Sequence, residues 1–332
     1  MKKHSMIASG LFTILVIVIT ALASLSGPYE EQPAPEPEPP PPIEELIPGG
    51  ERTDNETKLR VLHDGEIAEM TMEMYLIGVV SAEMPASFEL EALKAQSVAA
   101  RTNALHYISI ADKKQHPDAS VCTDPSCCTA FYPDDLLRRR WGSDYVRNIT
   151  RIISAVIGTD GVFMSYEDEP VLAVFHSSSA GKTETSGNVW LTDLPYLLSV
   201  DSPETAEQVP NYIAIVNITR VDFLEKVLET HPDAIFDNNS VAFIGDIVYT
   251  ESGRVFELSV GGAVVKGTEL RSMFNLRSTA FTVEINDDEI IITTTGFGHG
   301  VGMSQYGANV MASDATEYIE ILHHYYTGVN IN

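Results

Sequence analysis

Between Gly27 and Glu56 the chain reads GPYEEQPAPEPEPPPPIEELIPGGERTDNE. Proline fixes φ and removes backbone donors, and alternating Glu and Pro offers almost nothing to bury. No globular element is built this way, so residues 26–57 are expected to be an extended, self-repelling spacer. That expectation divides the 332-residue chain into a short amino-terminal segment and a region, 58–332, long enough for one large domain or two moderate ones.

Ahead of the spacer, an apolar run covers residues 6–25 without an ionised side chain. Its length of about 20 residues suffices to cross a ~30 Å hydrocarbon core. Lys2, Lys3 and His4 precede it, so residues 1–5 are expected to stay cytoplasmic and the remainder to face outside. A cleaved signal peptide is the competing reading, with ALASLSG as the cleavage region. The run is long for a signal sequence, and an uncleaved single-pass membrane anchor is the expectation.

The net charge of −26 repels phosphate and argues against nucleic acid as a partner. A hydrophobic content of 44% is ordinary for a protein with a real core. The three cysteines, Cys122, Cys127 and Cys128, are too few for a disulfide scaffold.

From about Leu59 the pattern alternates short strands and helices, and the predicted class is α+β. Two strands flank an HDGE turn, and a helix follows over Met72–Val80. An alanine-rich helix is predicted over Phe88–Ser109, with Ser87 as its cap. Another helix covers Tyr145–Val156, followed by strands through GVFMSYE and EPVLAVFHSSS. A smaller α+β insertion is expected at about 206–264, with a helix through ITRVDFLEKVLETH and a strand pair around Gly261–Gly262. GTELRSMFN reads as a short helix, FTVEINDDEIIITTTG as a hairpin, and two helices close the chain.

Four places carry candidate chemistry. Glu83 stands among Val79, Val80, Met84 and Phe88, and apolar neighbours raise a carboxyl pKa by desolvating its charged form. A solvated surface glutamate is the plain alternative. His116, Cys122, Cys127 and Cys128 offer imidazole and thiolates suited to a closed, structural zinc site; a disulfide from Cys122 to Cys127 or Cys128 competes. His176, Ser177, Ser178 and Ser179 lead into a turn with Lys182, read as a polar binding loop ahead of a Ser–His nucleophile. In GFGHGVGMSQYGANVMA, His299, Gln305 and Tyr306 have the hydrogen-bonding capacity to meet a neutral polyol. Lys94 and Arg101 share one face of the alanine-rich helix and need partners.

Together SAEMPASFELEALKAQSVAARTNAL, VFHSSSAGKTET with VW and PYLLSVDSPE, GTELRSMFNLRST and GFGHGVGMSQYGANVMA resemble the stage II sporulation protein D family, which includes amidase enhancers. The resemblance covers nearly all of 59–332. It implies a lytic transglycosylase that cleaves the MurNAc–GlcNAc β-1,4 bond of peptidoglycan and leaves 1,6-anhydro-MurNAc ends. It implies septal wall remodelling and engulfment during sporulation, from the mother-cell membrane facing the forespore. Stage II sporulation proteins M and P are the implied partners, and Glu83, in the EMP element, is the implied catalytic acid. The zinc-binding element of some relatives has its counterpart here, with Cys127 where the family pattern has histidine. Lys94, Arg101, Ser177, Ser178, Lys182, Tyr196, His299, Gln305 and Tyr306 are the candidate substrate-binding residues. The alternatives are a non-catalytic, peptidoglycan-binding amidase enhancer, a zinc hydrolase and a Ser–His hydrolase.

Overall fold

The alanine-rich helix runs from Leu90 to Ser109 through the middle of the larger core. In this computed structural model, residues 40–110, 116, 118–190, 192–236, 243–286 and 289–332 are described. Ala92, Ala95, Ala99, Ala100 and Ala104 are buried, and such short side chains let neighbouring helices approach closely. The neighbours are Met72–Glu83, Tyr145–Ile157, Gln305–Ser313 and Tyr318–Tyr325. The helix starts at Leu90 rather than Phe88. Glu89 occupies its cap position without a side-chain bond, because the Phe88 N–H is already committed to Pro85 O in a separate turn.

The Met72–Glu83 helix is started by Thr71, whose hydroxyl accepts from Met74 N–H at 3.1 Å. It continues past the expected end at Val80. Pro85 disfavours helical backbone at the residue before it, and Met84 is extended at φ −122°, ψ 141°. Glu83 is therefore the last helical residue. Beside this helix, strand Lys58–His63 pairs antiparallel with Glu66–Thr71 and parallel with Val121–Cys122.

A second core gathers Phe223, Val227, Val255, Leu258, Val260, Val265, Leu270, Phe281, Ile290 and Ile292. One sheet has the order Phe281–Ile285, Glu289–Thr295, Ile213–Thr219; another has Ala263–Lys266, Val255–Val260, Ile244–Tyr249. Helices Arg220–Thr230 and Gly267–Met273 accompany them. This unit reaches well beyond the expected limit near residue 264. Ile290 and Ile292 of the late hairpin alternate into its core, and Ile290 pairs with Ile218 of the early strand. The class is α+β with mainly antiparallel pairing, as the sequence predicts.

The spacer, expected to run to residue 57, gives way to packed chain much earlier. The compact unit begins at Pro41, Ile43 is buried, and Thr53–Glu56 forms one helical turn. Asp160 anchors that turn by accepting from Thr53 and Asp54 N–H, both at 2.9 Å. The expected membrane span at residues 6–25 lies outside the described residues. Among the described residues no helix is long and apolar enough to cross a membrane.

Candidate active site

Because Glu83 ends its helix, its carboxyl projects toward the loop that returns from Cys128. Oε1 accepts the Ala130 N–H at 3.1 Å, and the Gln305 amide reaches Oε2 at 3.4 Å. The same Gln305 Nε2 lies 3.4 Å from Gln96 Oε1 on the alanine-rich helix. Burial pushes the Glu83 carboxyl above its ordinary value, against the opposing pull of Ala130 and Gln305. The helix C-terminus, negative in its macrodipole, also disfavours a carboxylate there.

Two adjoining cavities share Glu83, His176, Phe297 and Gly298. The larger, about 540 Å³, is also lined by Tyr107, Cys127, Cys128, Trp190, Arg271 and His299. The smaller, about 300 Å³, adds Ser177 and Gln305. Among the described lining residues Glu83 is the one carboxylate. Trp190 and Phe297 present aromatic faces at 37% and 43% exposure, high for such large apolar side chains in a cleft wall.

The loop that holds Glu83 is shaped by local hydrogen bonds. Asp124 Oδ1 accepts from Ser126 N–H and Oγ–H at 2.8 and 2.6 Å, while Asp124 O accepts from the Cys127 and Cys128 amides. This turn swings the adjacent cysteines back toward Cys122 in its strand. His116, Cys122 and Cys127 place their ligand atoms within 4.8 Å of one another. The separation of Cys127 Sγ from His116 Nε2 is 3.6 Å, and from Cys128 Sγ 3.9 Å. Edges of ~3.5–3.8 Å are what tetrahedral zinc with bonds of ~2.0–2.3 Å requires, so the donor set fits zinc. Cys128 Sγ accepts the Cys122 N–H at 3.4 Å, and all three thiols are unbridged, unlike the disulfide alternative. Thr129, Ala130 and Tyr132 then dock this loop on the Glu83 helix through Tyr75, Glu83 and Gly78 O.

The opposite wall comes from His176 and the glycine-rich loop. Strand Phe175–His176 pairs in parallel with Met303–Ser304. His176 Nδ1 faces Val301 O at 3.1 Å, so it carries the proton, and Nε2 accepts from Ser179 Oγ at 2.7 Å. Burial lowers the pKa of His176 well below the usual value and that of His299 to about 4; both rings are neutral at neutral pH. Ser179 is 0% exposed and lines neither cavity. A buried serine out of substrate reach orients His176 and does not serve as a nucleophile. Gly302 is required here: its φ is +71°, and a Cβ would sit 2.1 Å from Val174 O.

Of the residues expected to bind substrate, Ser177, His299 and Gln305 line these cavities. The others do not. Lys94 pairs with Glu91 at 2.6 Å. Arg101, 1% exposed, forms a buried two-pronged pair with Asp54 and also donates to Val162 O. Lys182 is exposed, 3.6 Å from Asp201. Tyr196 is buried with its hydroxyl accepting Leu172 N–H. Ser178 is buried and bridges by its backbone to Phe297. Tyr306 packs edge-on against Phe88. Arg101 thus serves the core through a distant acid, and Lys94 a partly solvated pair on its own helix. Sequence reasoning missed Trp190, Arg271 and Phe297; the aromatic between glycines in GFGHG was the available signal for one of them.

A family model described as "Stage II sporulation protein" matches residues 63–166, the segment that holds Glu83 and the cysteines. The chain is 35% identical over 340 residues to stage II sporulation protein D of Bacillus amyloliquefaciens, across 100% of this chain and 96% of that one. It is 36% identical over 267 residues to the Bacillus subtilis (strain 168) protein of the same name, across 80% and 76%. It is also 29% identical over 309 residues to the amidase enhancer of Bacillus subtilis (strain 168), covering 77% of this chain and 40% of that protein. The chain belongs to the stage II sporulation protein D family.

Proposed function

We propose that the domain is a peptidoglycan lytic transglycosylase acting in wall remodelling during sporulation, with Glu83 as its acid and base. The observation that carries this reading is the solitary half-buried carboxyl in a cleft with aromatic walls. Glycoside hydrolysis ordinarily uses two carboxyl groups. A muramic-acid unit brings its own nucleophile, the C6 hydroxyl, so one carboxyl suffices.

In the first half of the reaction, protonated Glu83 gives its proton to the bridging glycosidic oxygen as the C1–O bond breaks. In the second, O6 bonds to C1 and its proton passes to the Glu83 carboxylate. The C1–O6 bond replaces the glycosidic bond, Glu83 is regenerated, and no water is consumed. A raised carboxyl pKa keeps the proton available near neutral pH, and the internal hydroxyl gains its advantage from proximity. Gln305 and Ala130 aim the carboxyl, and neutral His176 and His299 avoid competing for it. His116, Cys122 and Cys127, whose ligand atoms cluster, would hold a zinc ion, with Cys128, its Sγ 3.9 Å from that of Cys127, as the candidate fourth donor. Bound there, zinc supplies a structural cross-link for the loop that carries Ala130.

Membership of the family supports glycan strands as substrate, stage II sporulation proteins M and P as partners, and placement at the mother-cell membrane through the amino-terminal anchor. A second reading, a peptidoglycan-binding amidase enhancer, draws on the name of the more distant relative. It keeps the cleft and makes Glu83 a binding residue. Incubation with peptide-free glycan strands separates the two: 1,6-anhydro-muramyl ends in the wild type and none from Glu83→Gln are the expected result. Intact strands with the wild type favour the enhancer.

A further inference from the structure

In a chain of net charge −26 the cleft has a cationic wall. Arg271 is the lining cation of the larger cavity, since both lining histidines are neutral. Its Nε donates to Leu276 O at 3.2 Å, which fixes the guanidinium plane. Among the described residues no carboxylate lies within ion-pair distance of it. Half-buried guanidinium groups are normally paired, because desolvating a charge without a partner is costly. Behind it, Arg254 is 1% exposed, and none of its three guanidinium nitrogens has a hydrogen-bond partner among the described residues. Both arginines act on His299 in the cleft wall. By contrast, the pKa of Glu83 is set by burial, Ala130 and Gln305, with no contribution from Arg271.

We propose that Arg271 is a specificity-determining residue that binds a carboxylate of the wall polymer beside the reacting sugar. The proposal rests on the transglycosylase reading for its substrate and deepens it. Planar, always charged and held by one nitrogen, the side chain leaves two terminal nitrogens to receive a carboxylate. Trp190 and Phe297 supply flat faces for sugar rings in the same cavity, and Arg277 covers one face of Phe297 at 4.1 Å. Two chemical sources exist on a glycan strand: the lactyl carboxylate of peptide-free muramic acid, and the carboxylates of stem peptides where that lactyl group is amide-linked. Arg271 is not among the groups that act on Glu83, so a carboxylate held there leaves the acid's own partners, Ala130 and Gln305, in place.

The test measures binding, so it survives failure of the catalytic reading. Full-length Glu83→Gln protein is titrated with three probes: peptide-free strands, the same strands with carboxyls reduced to alcohols, and peptide-bearing strands. Reduction should weaken binding about 10- to 100-fold, the scale of a charge-assisted pair. Adding Arg271→Gln should abolish that difference while leaving affinity for reduced strands unchanged, and Arg271→Lys should recover part of it. Dependence on Arg271 with peptide-free strands assigns the lactyl group; dependence confined to peptide-bearing strands assigns the peptide. Equal binding of all three probes by the Arg271 protein overturns the proposal, even if Arg271→Gln does not fold. So does an equal loss for both strands on substitution. With Glu83 restored, Arg271→Gln should raise KM with kcat largely retained.

Discussion

Ala130 donates its backbone N–H to the carboxyl of Glu83 at 3.1 Å, across 47 residues of sequence. The donor belongs to the loop shaped by Asp124 and the cysteines, the acceptor to the end of a helix. Whatever orders that loop therefore also aims the acid.

Cys122→Ser and Cys127→Ser should each abolish stoichiometric zinc measured by mass spectrometry on the purified protein. Amide exchange at Ala130 should accelerate, and glycan cleavage should fall about 10-fold or more, the range seen when supporting groups are lost. Chelation of the wild type should reproduce both effects. Unchanged Ala130 protection after chelation would show that the loop stands without metal.

Glu83→Gln should raise stability at neutral pH while removing cleavage by about 100-fold or more. The folded-state pKa lies above the ordinary value of 4.5, so the folded protein holds this proton more tightly than the unfolded chain. Stability contributed by Glu83 therefore declines as pH rises from 4.5 through the raised value. Glutamine removes that decline. Melting curves of the two proteins should converge at about pH 4 and separate in favour of the variant at higher pH.

His299 titrates in the opposite sense. With its pKa lowered from 6.5 to about 4 by burial and the nearby arginines, it binds fewer protons folded than unfolded between these values. Its contribution is complete above pH 6.5 and is lost as pH falls toward 4. His299→Asn, which preserves an acceptor for the Val301 N–H, should flatten the acid limb of a stability profile. Arg271→Gln should raise the His299 pKa observed by NMR.

Arg101→Ala should cost about 3–5 kcal/mol in urea unfolding, because it strands the buried Asp54 carboxylate. Lys94→Ala should cost about 0–1 kcal/mol, its pair with Glu91 being partly solvated. In folded protein neither substitution should change KM for glycan, since neither side chain lines the cleft.

Gly302→Ala should destabilise on the order of 3 kcal/mol. The methyl group would meet Val174 O at 2.1 Å in a left-handed backbone. The loss should appear as a lower denaturant midpoint with an unchanged slope.

Much of the local order was legible in the residues themselves. Alanine spacing marked the central helix and Gly261–Gly262 marked a hairpin, while the helix that presents Glu83 was legible only to Val80 and its last turn was not. These are short-range matters of sterics and backbone bonding, and the glutamate, His116 and the cysteines were visible as chemistry for the same reason. The spacer's end was misjudged because Glu and Pro dominate its composition. Ile43 is buried in the larger core, and Asp54 pairs with Arg101 from a helix 47 residues away, neither of which composition reveals.

Chain order alone determined that a glutamate among apolar residues, a loop rich in soft donor side chains and a glycine-rich turn exist in this protein. Folding decided which of them meet: Glu83 with Gln305 from 222 residues away, Trp190 with His299, and Arg271 with the same cleft. It also sent Arg101 and Tyr196 into the core. Charge and hydrogen-bonding capacity belong to a residue, but what they are spent on depends on which groups share its low-dielectric surroundings, and only packing sets that.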